Sequence, residues 1–97
     1  MADRFRVTLA QSNPTVGDIA GNAGLARSIW QQGRDAGADM VALPEMFITG
    51  YNAQDLVLKP SFHNAAMAAV TRLAADCADG PTLGIGGPWA EDGKLYN

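Results

Sequence analysis

One cysteine and one histidine in 97 residues leave little room for metal or disulfide chemistry. A lone Cys77 excludes an intrachain disulfide and any cysteine-rich zinc site. His63 stands apart from any Cys or carboxylate at metal-ligand spacing, so no metal site is expected. Seven Lys and Arg against ten acidic residues, with no basic cluster, argue against a nucleic-acid partner. No apolar run is long enough to span a bilayer, and the opening Ala2-Asp3-Arg4-Phe5-Arg6 lacks a signal-peptide core. A cytoplasmic, reducing compartment is the simplest expectation. There are no repeats and no low-complexity tracts.

What remains is a sequence of 47% hydrophobic residues, enough to pack one small α/β domain. Phe5 to Gln11 alternates apolar and polar side chains, the period of a strand with one buried face. Ser12-Asn13-Pro14 breaks it, and a helix is predicted from Asp18 or Asn22, either of which can cap it. Ile19, Leu25, Ala26, Ile29, Trp30 and Ala36 form its apolar spacing. Gly21, Gly24 and Gly33 each weaken this helix by about 1 kcal/mol relative to Ala but permit close helix–sheet contact. Gly37 suits its left-handed C-terminal residue.

A second, buried strand is predicted to end at Leu43, where Pro44 cannot donate to a ladder. Strand, helix, strand makes a parallel β-α-β unit. Gln54 to Lys59 reads as a short helix stopped by Pro60. Ser61 reads as the cap of a helix over 62–78, whose apolar face is Phe62, Ala66, Ala69, Val70, Leu73 and Cys77. Thr82 to Gly86 is a third strand, and Trp89 to Tyr96 a hairpin turning at Asp92-Gly93. A hairpin that stops at Asn97 leaves its pairing unfinished, so the chain is read as a fragment of a longer protein.

Glu45 is the sharpest chemical candidate. It follows a buried strand and a proline, at the carboxyl end where open α/β sheets bind ligands. Its neighbours Leu43, Pro44, Met46, Phe47 and Ile48 suggest an apolar wall around it. Such a carboxylate is either a loop-capping or ion-pairing group or a functional base, and the residues alone leave both open. Tyr51 is either a packing aromatic or a pocket residue orienting Glu45. Cys77 falls on an apolar helix stripe and reads as core rather than nucleophile. His63 reads as a surface or capping residue. Gly84-Ile85-Gly86-Gly87-Pro88 lacks the third glycine of a dinucleotide fingerprint and better suits close backbone approach.

Ala36 to Glu45, followed by Thr49-Gly50-Tyr51, resembles the first catalytic signature of the nitrilase (carbon–nitrogen hydrolase) superfamily. Val7 to Gln11, Asn13 to Asp18 and Asn22 resemble its first strand and helix. More narrowly, Thr49-Gly50-Tyr51 with Asp55 to Phe62 is similar to the amidase domain of glutamine-dependent NAD synthetases. Those usually carry Pro-Pro-Glu where this chain has Asn52-Ala53-Gln54.

The resemblance implies the N-terminal part of a four-layer α-β-β-α sandwich and a Glu-Lys-Cys triad. Glu45 matches the general base, with Tyr51 beside it in the substrate pocket. The lysine and nucleophilic cysteine are expected beyond Asn97, and Lys59, Lys94 and Cys77 are not matched to them. The implied reaction is glutamine hydrolysis. Its ammonia amidates deamido-NAD in a separate domain that uses ATP and Mg²⁺, and the fragment itself holds no cofactor. A homo-oligomer is implied for the full-length protein. The 97 residues alone are expected to be inactive and, with a sheet face and strand edges uncovered, prone to associate. Alternatives are another amidase or N-carbamoyl hydrolase of the superfamily, or a non-catalytic α/β module.

Overall fold

Strand β1 (Val7–Leu9) is the first element of a computed structural model that describes residues 3–97. A loop then leads to Asp18, whose Oδ1 accepts the Gly21 N–H at 3.0 Å and caps helix α1 (Ile19–Asp35). Asn22, the other expected cap, lies inside the helix and is only 2% exposed. Gly37 takes φ 81° just past the helix, as its position predicts. Strand β2 (Met40–Ala42) follows.

A 3-10 helix (Gln54–Leu58) leads into helix α2 (Pro60–Asp76). Here the structure corrects the expected boundary. Pro60 does not merely stop the short helix but opens the long one. Its fixed φ and missing N–H suit the first helical turn, and they hold Lys59 extended at ψ 120°. Lys59 is therefore the cap residue, with no side-chain cap bond, and Ser61 lies within the helix.

Strand β3 (Thr82–Gly84) stops short of the predicted Gly86. The hairpin of β4 (Trp89–Glu91) and β5 (Lys94–Tyr96) turns at Asp92 (φ 52°) and Gly93 (φ 74°), the paired left-handed residues its Asp-Gly sequence calls for.

The three-stranded sheet runs in the order β1-β2-β3, all parallel, with Thr8 opposite Val41 and Val41 opposite Leu83. The hairpin forms its own two-stranded sheet. Helix α1 packs on one face of the main sheet, and α2 packs against α1. A Cβ on Gly33 would collide with Val41 Cγ2 and sit 3.4 Å from Thr8 Oγ1. Gly33 alone of the three helical glycines gives the expected close approach to the sheet. A Cβ on Gly24 would meet open space, and one on Gly21 would strike the Asp18 cap.

The alternation in β1 is real, but its buried side is the opposite of the one expected. Thr8 faces the helices, while Phe5, Val7 and Leu9 are exposed, Leu9 at 77%. The reason is that these residues supply a helix layer for one sheet face only.

The core is one cluster of Ala23, Ala26, Trp30, Val41, Phe47, Ile48, Ala66, Leu73 and Cys77. Each fully buried large side chain, such as Phe47, Ile48 or Leu73, contributes about 1.5–3 kcal/mol. On α1 the buried stripe is Asn22, Ala23, Ala26, Trp30 and Gly33, whereas Leu25 and Ala36 of the expected stripe are exposed. On α2 the expected face holds, with Ala66, Leu73 and Cys77 buried and Phe62, Ala69 and Val70 half-buried. Trp30 donates its indole N–H to the Pro81 carbonyl at 2.8 Å, which ties α1 to the start of β3. Arg27 and Asp76 pair at 2.7 Å across the two helices. Both are partly exposed, so the bond contributes at most about 1 kcal/mol. Among the described residues, no helix is long and apolar enough to cross a membrane.

Candidate functional site

The central strand β2 delivers its chain to the carboxyl edge of the sheet and stops. Leu43 makes one more contact, donating its N–H to the Gly84 carbonyl at 2.9 Å, and Pro44 then ends the ladder. The chain turns over Glu45–Thr49. Phe47, Ile48 and Thr49 drop fully into the core, and Glu45 stays at the surface. The apolar wall expected around the carboxylate is therefore absent here. Its apolar neighbours point inward and anchor the turn, and that turn carries Glu45 outward. Met46 takes φ 55°, a left-handed conformation that costs a non-glycine residue of order 1–3 kcal/mol and that surrounding structure must impose.

Contacts from both sides impose it. The Ile48 N–H donates to the Gly86 carbonyl at 3.3 Å, bringing the segment after β3 alongside the turn. A Cβ on Gly86 would lie 2.7 Å from Met46 N and 3.4 Å from Glu45 Cα, so the glycine is what lets the two backbones meet. This is the close approach that the Gly84–Pro88 sequence suggests. From the other side, Asn22 reaches out of α1. Its Nδ2 donates to the Ile48 carbonyl at 3.1 Å and to the Thr15 carbonyl at 2.8 Å, while its Oδ1 accepts the Thr15 N–H at 2.9 Å. Gly17 N–H to the Thr49 carbonyl, 2.9 Å, adds a second link between the same two loops.

Sequence reasoning placed Asn22 as a possible cap and missed this role. The signal was present: Asn22 shares the phase of Ala26, Trp30 and Gly33 on the buried stripe. A polar side chain in that phase must find partners inside.

Replacing Gly86 with Ala is expected to destabilise the protein by about 1–3 kcal/mol, because the groups it would hit are backbone and cannot rotate away. Gly24→Ala is the control. It has open space and a helical backbone, and should be neutral or stabilising by up to about 1 kcal/mol. Equal urea midpoints for the two variants would contradict this account of Gly86.

The Glu45 carboxylate has one hydrogen-bond partner among the described side chains. Asn97, just past β5, donates from Nδ2 to Oε2 at 3.0 Å. That leaves Oε1 free to accept a proton from a group that approaches from outside. Tyr51 closes the same loop and is 66% exposed, and no hydrogen bond joins its hydroxyl to Glu45 among the described residues. Cys77 is buried at the end of α2, where its N–H bonds the Leu73 carbonyl at 2.8 Å. Burial pushes its thiol above the ordinary range, with Arg27 opposing and Asp76 adding to that shift. It belongs to the core, as its stripe position indicates. His63 Nδ1 lies 2.9 Å from the Val57 carbonyl and ties the first turn of α2 to the 3-10 helix.

The pattern of the carbon–nitrogen hydrolase family matches residues 6–97. A glutamine-dependent NAD(+) synthetase of Rhodobacter capsulatus is 64% identical over all 97 residues, which correspond to 18% of that relative's length. Its counterpart from Xylella fastidiosa is 35% identical over 98 aligned positions, again across the whole chain and 18% of the relative. The chain thus spans under a fifth of the curated relatives it matches end to end.

Among solved structures, a glutamine-dependent NAD+ synthetase from Acinetobacter baumannii, in complex with ADP, superposes with a TM-score of 0.87. It is 31% identical over 96% of this chain and 18% of that one. An amidase from Nesterenkonia sp. superposes with a TM-score of 0.74 at 24% identity, over 90% of this chain and 33% of that one, and shares the fold. The arrangement of sheet and helices is thus shared with these proteins, and the chain belongs to the carbon–nitrogen hydrolase family.

Proposed function

We propose that these residues are the N-terminal part of the glutaminase domain of a glutamine-dependent NAD synthetase, with Glu45 as its general base. The observation that carries this reading is the 64% identity to such a synthetase along the whole chain. The site geometry agrees with it. A carboxylate held on a rigid turn, with one oxygen anchored and one open, is what a base needs.

The chemistry follows from what a thiol lacks. Its thiolate is the nucleophile, yet it is mostly protonated at neutral pH. Glu45 takes the thiol proton as sulfur attacks the side-chain amide carbon of glutamine. The proton passes to the departing nitrogen, ammonia leaves, and a thioester remains. Glu45 then takes a proton from water, which hydrolyses the thioester to glutamate and restores the thiol. A lysine stabilises the tetrahedral oxyanion in both halves. The lysine and cysteine belong to the longer chain, beyond Asn97.

The ammonia amidates deamido-NAD after ATP has adenylated it. We assign ATP and Mg²⁺ to a separate synthetase domain and no cofactor to these residues. Tyr51 is placed in the glutamine pocket. The full-length protein is read as a cytoplasmic homo-oligomer that acts on small-molecule substrates, with no nucleic-acid partner.

The test is made on the full-length protein, supplied with deamido-NAD, ATP, Mg²⁺ and either glutamine or an ammonium salt. NAD formation from both nitrogen sources is expected. A protein that hydrolyses simple amides or N-carbamoyl compounds but forms no NAD from either source would instead be another amidase of the family. Absence of all amide hydrolysis would favour a non-catalytic module.

A further inference from the structure

We propose that Asn97 is a positioning residue for Glu45: its carboxamide holds one carboxylate oxygen so that the other is presented to the reacting group. The inference rests on the reading of Glu45 as a base and adds a residue to it.

The argument starts from what an ionised carboxylate can do. It accepts hydrogen bonds and donates none, so the amide face turned toward it must be the N–H₂. Asn97 Nδ2 meets Oε2 at 3.0 Å, across 52 positions of sequence. The contact is not a chance meeting of two mobile ends. Glu45 sits on a turn pinned by Phe47, Ile48 and Thr49 in the core. Asn97 directly follows β5, which is paired to β4 residue by residue, Trp89 with Tyr96 and Glu91 with Lys94. The chain that leads into β4 is the Gly86-Gly87-Pro88 segment, which itself packs on the turn. A Cβ on Gly87 would come within 2.6 Å of Ile48 Cγ2. The segment that opens the hairpin is therefore docked on the turn, and the Asn97–Glu45 bond joins the two again where β5 ends.

Two consequences follow. The donated bond fixes the rotation of the carboxylate, so Asn97 sets the direction in which the free oxygen points. It also removes one oxygen from competition, so proton transfer is directed through Oε1 and the two oxygens have separate roles. The other titratable groups on these two elements are Tyr51 on the turn's own loop and Glu91, Asp92, Lys94 and Tyr96 on the hairpin. None forms an ion pair with Glu45 among the described residues. The segment 84–88 carries no titratable side chain. Asn97 is thus the polar group that sets the environment of Glu45 within these residues.

The experiment is steady-state ammonia release from glutamine by the full-length protein, for Asn97→Ala and Asn97→Ser, with Glu45→Gln alongside. Loss of the donated bond frees the carboxylate to rotate away from the reacting group. For N97A kcat is expected to fall by about tenfold with KM little changed, because the orientation of the base matters in the chemical step. N97S, which retains a short donor, should fall between wild type and N97A. NAD formation from an ammonium salt should be unchanged in both variants, which a loss of folding would not allow.

A kcat for ammonia release equal to wild type in both N97A and N97S, while E45Q is inactive, would overturn the role of Asn97 and leave Glu45 as the base. Near-wild-type release by E45Q would instead overturn the reading of Glu45 on which this role rests.

Discussion

Glu45→Gln in the full-length protein should lower ammonia release from glutamine by about 10²–10⁴-fold, the range that loss of a positioned general base commands. Gln has the size and shape of Glu and can still accept a hydrogen bond from Asn97 through its side-chain oxygen. What it cannot do is take up the thiol proton. Because Gln matches Glu in size and shape, the exchange opens no cavity, so the fold should not register it. The loss should appear in kcat, with KM close to wild type, since the proton moves in the chemical step rather than in binding. A variant that melts normally but has lost turnover would separate chemistry from structure at this position.

Asn22→Ala carries the opposite signature, and its expected effect on stability is the largest among polar positions of the site. One side chain satisfies three backbone groups: the Thr15 N–H, the Thr15 carbonyl and the Ile48 carbonyl. Truncation leaves these without partners next to a residue that is 2% exposed. An unsatisfied buried group costs about 1–3 kcal/mol, and water entering from the Thr15 side offsets part of the total. A net loss of about 2–4 kcal/mol is expected, read as a lower urea midpoint. Activity should fall as well, because the Ile48 carbonyl lies three residues from Glu45 on the same turn. Asn22→Asp is a sharper version. It keeps the acceptor for Thr15 N–H but turns a carboxylate toward two carbonyl oxygens, and it should destabilise at least as much as Ala. A loss below about 0.5 kcal/mol in both variants, the scale of an ordinary surface substitution, would remove Asn22 from the account.

How far these features could be read from the sequence depends on how local their causes are. Pro44 states its own consequence: it ends a ladder wherever it stands, so the position of Glu45 at the strand's end was legible. The Asp92-Gly93 turn and the glycine past α1 are of the same kind. The helix stripe on α2 was legible because one long amphipathic pattern fixed its phase.

The side of β1 that is buried was not legible. Period-two alternation identifies two faces but does not say which neighbour covers either one. Gly33, on a distant helix, decides that Thr8 and Val41 face inward. The start of α2 was misplaced because Ser61 carries a capping side chain, whereas Pro60 fits the first turn without needing one. Asn22 was legible only in outline, since Asp18 already supplied the cap. Asn97 left no local signal at all. Its partner lies 52 residues away, and only the docking of the hairpin on the turn brings them together.

The apolar wall predicted for Glu45 failed for a related reason. The hydrophobicity of its neighbours was read correctly, but the turn at Met46 sends them in and the carboxylate out.

On the proposed function, Glu45 serves glutamine hydrolysis alone and takes no part in the amidation that follows. The most direct measurement compares NAD formation by the full-length Glu45→Gln variant from glutamine and from an ammonium salt, at saturating deamido-NAD, ATP and Mg²⁺. The account predicts that synthesis from ammonium stays at the wild-type rate while synthesis from glutamine falls by about 10²-fold or more. Glutamine-supported synthesis near the wild-type rate would contradict it.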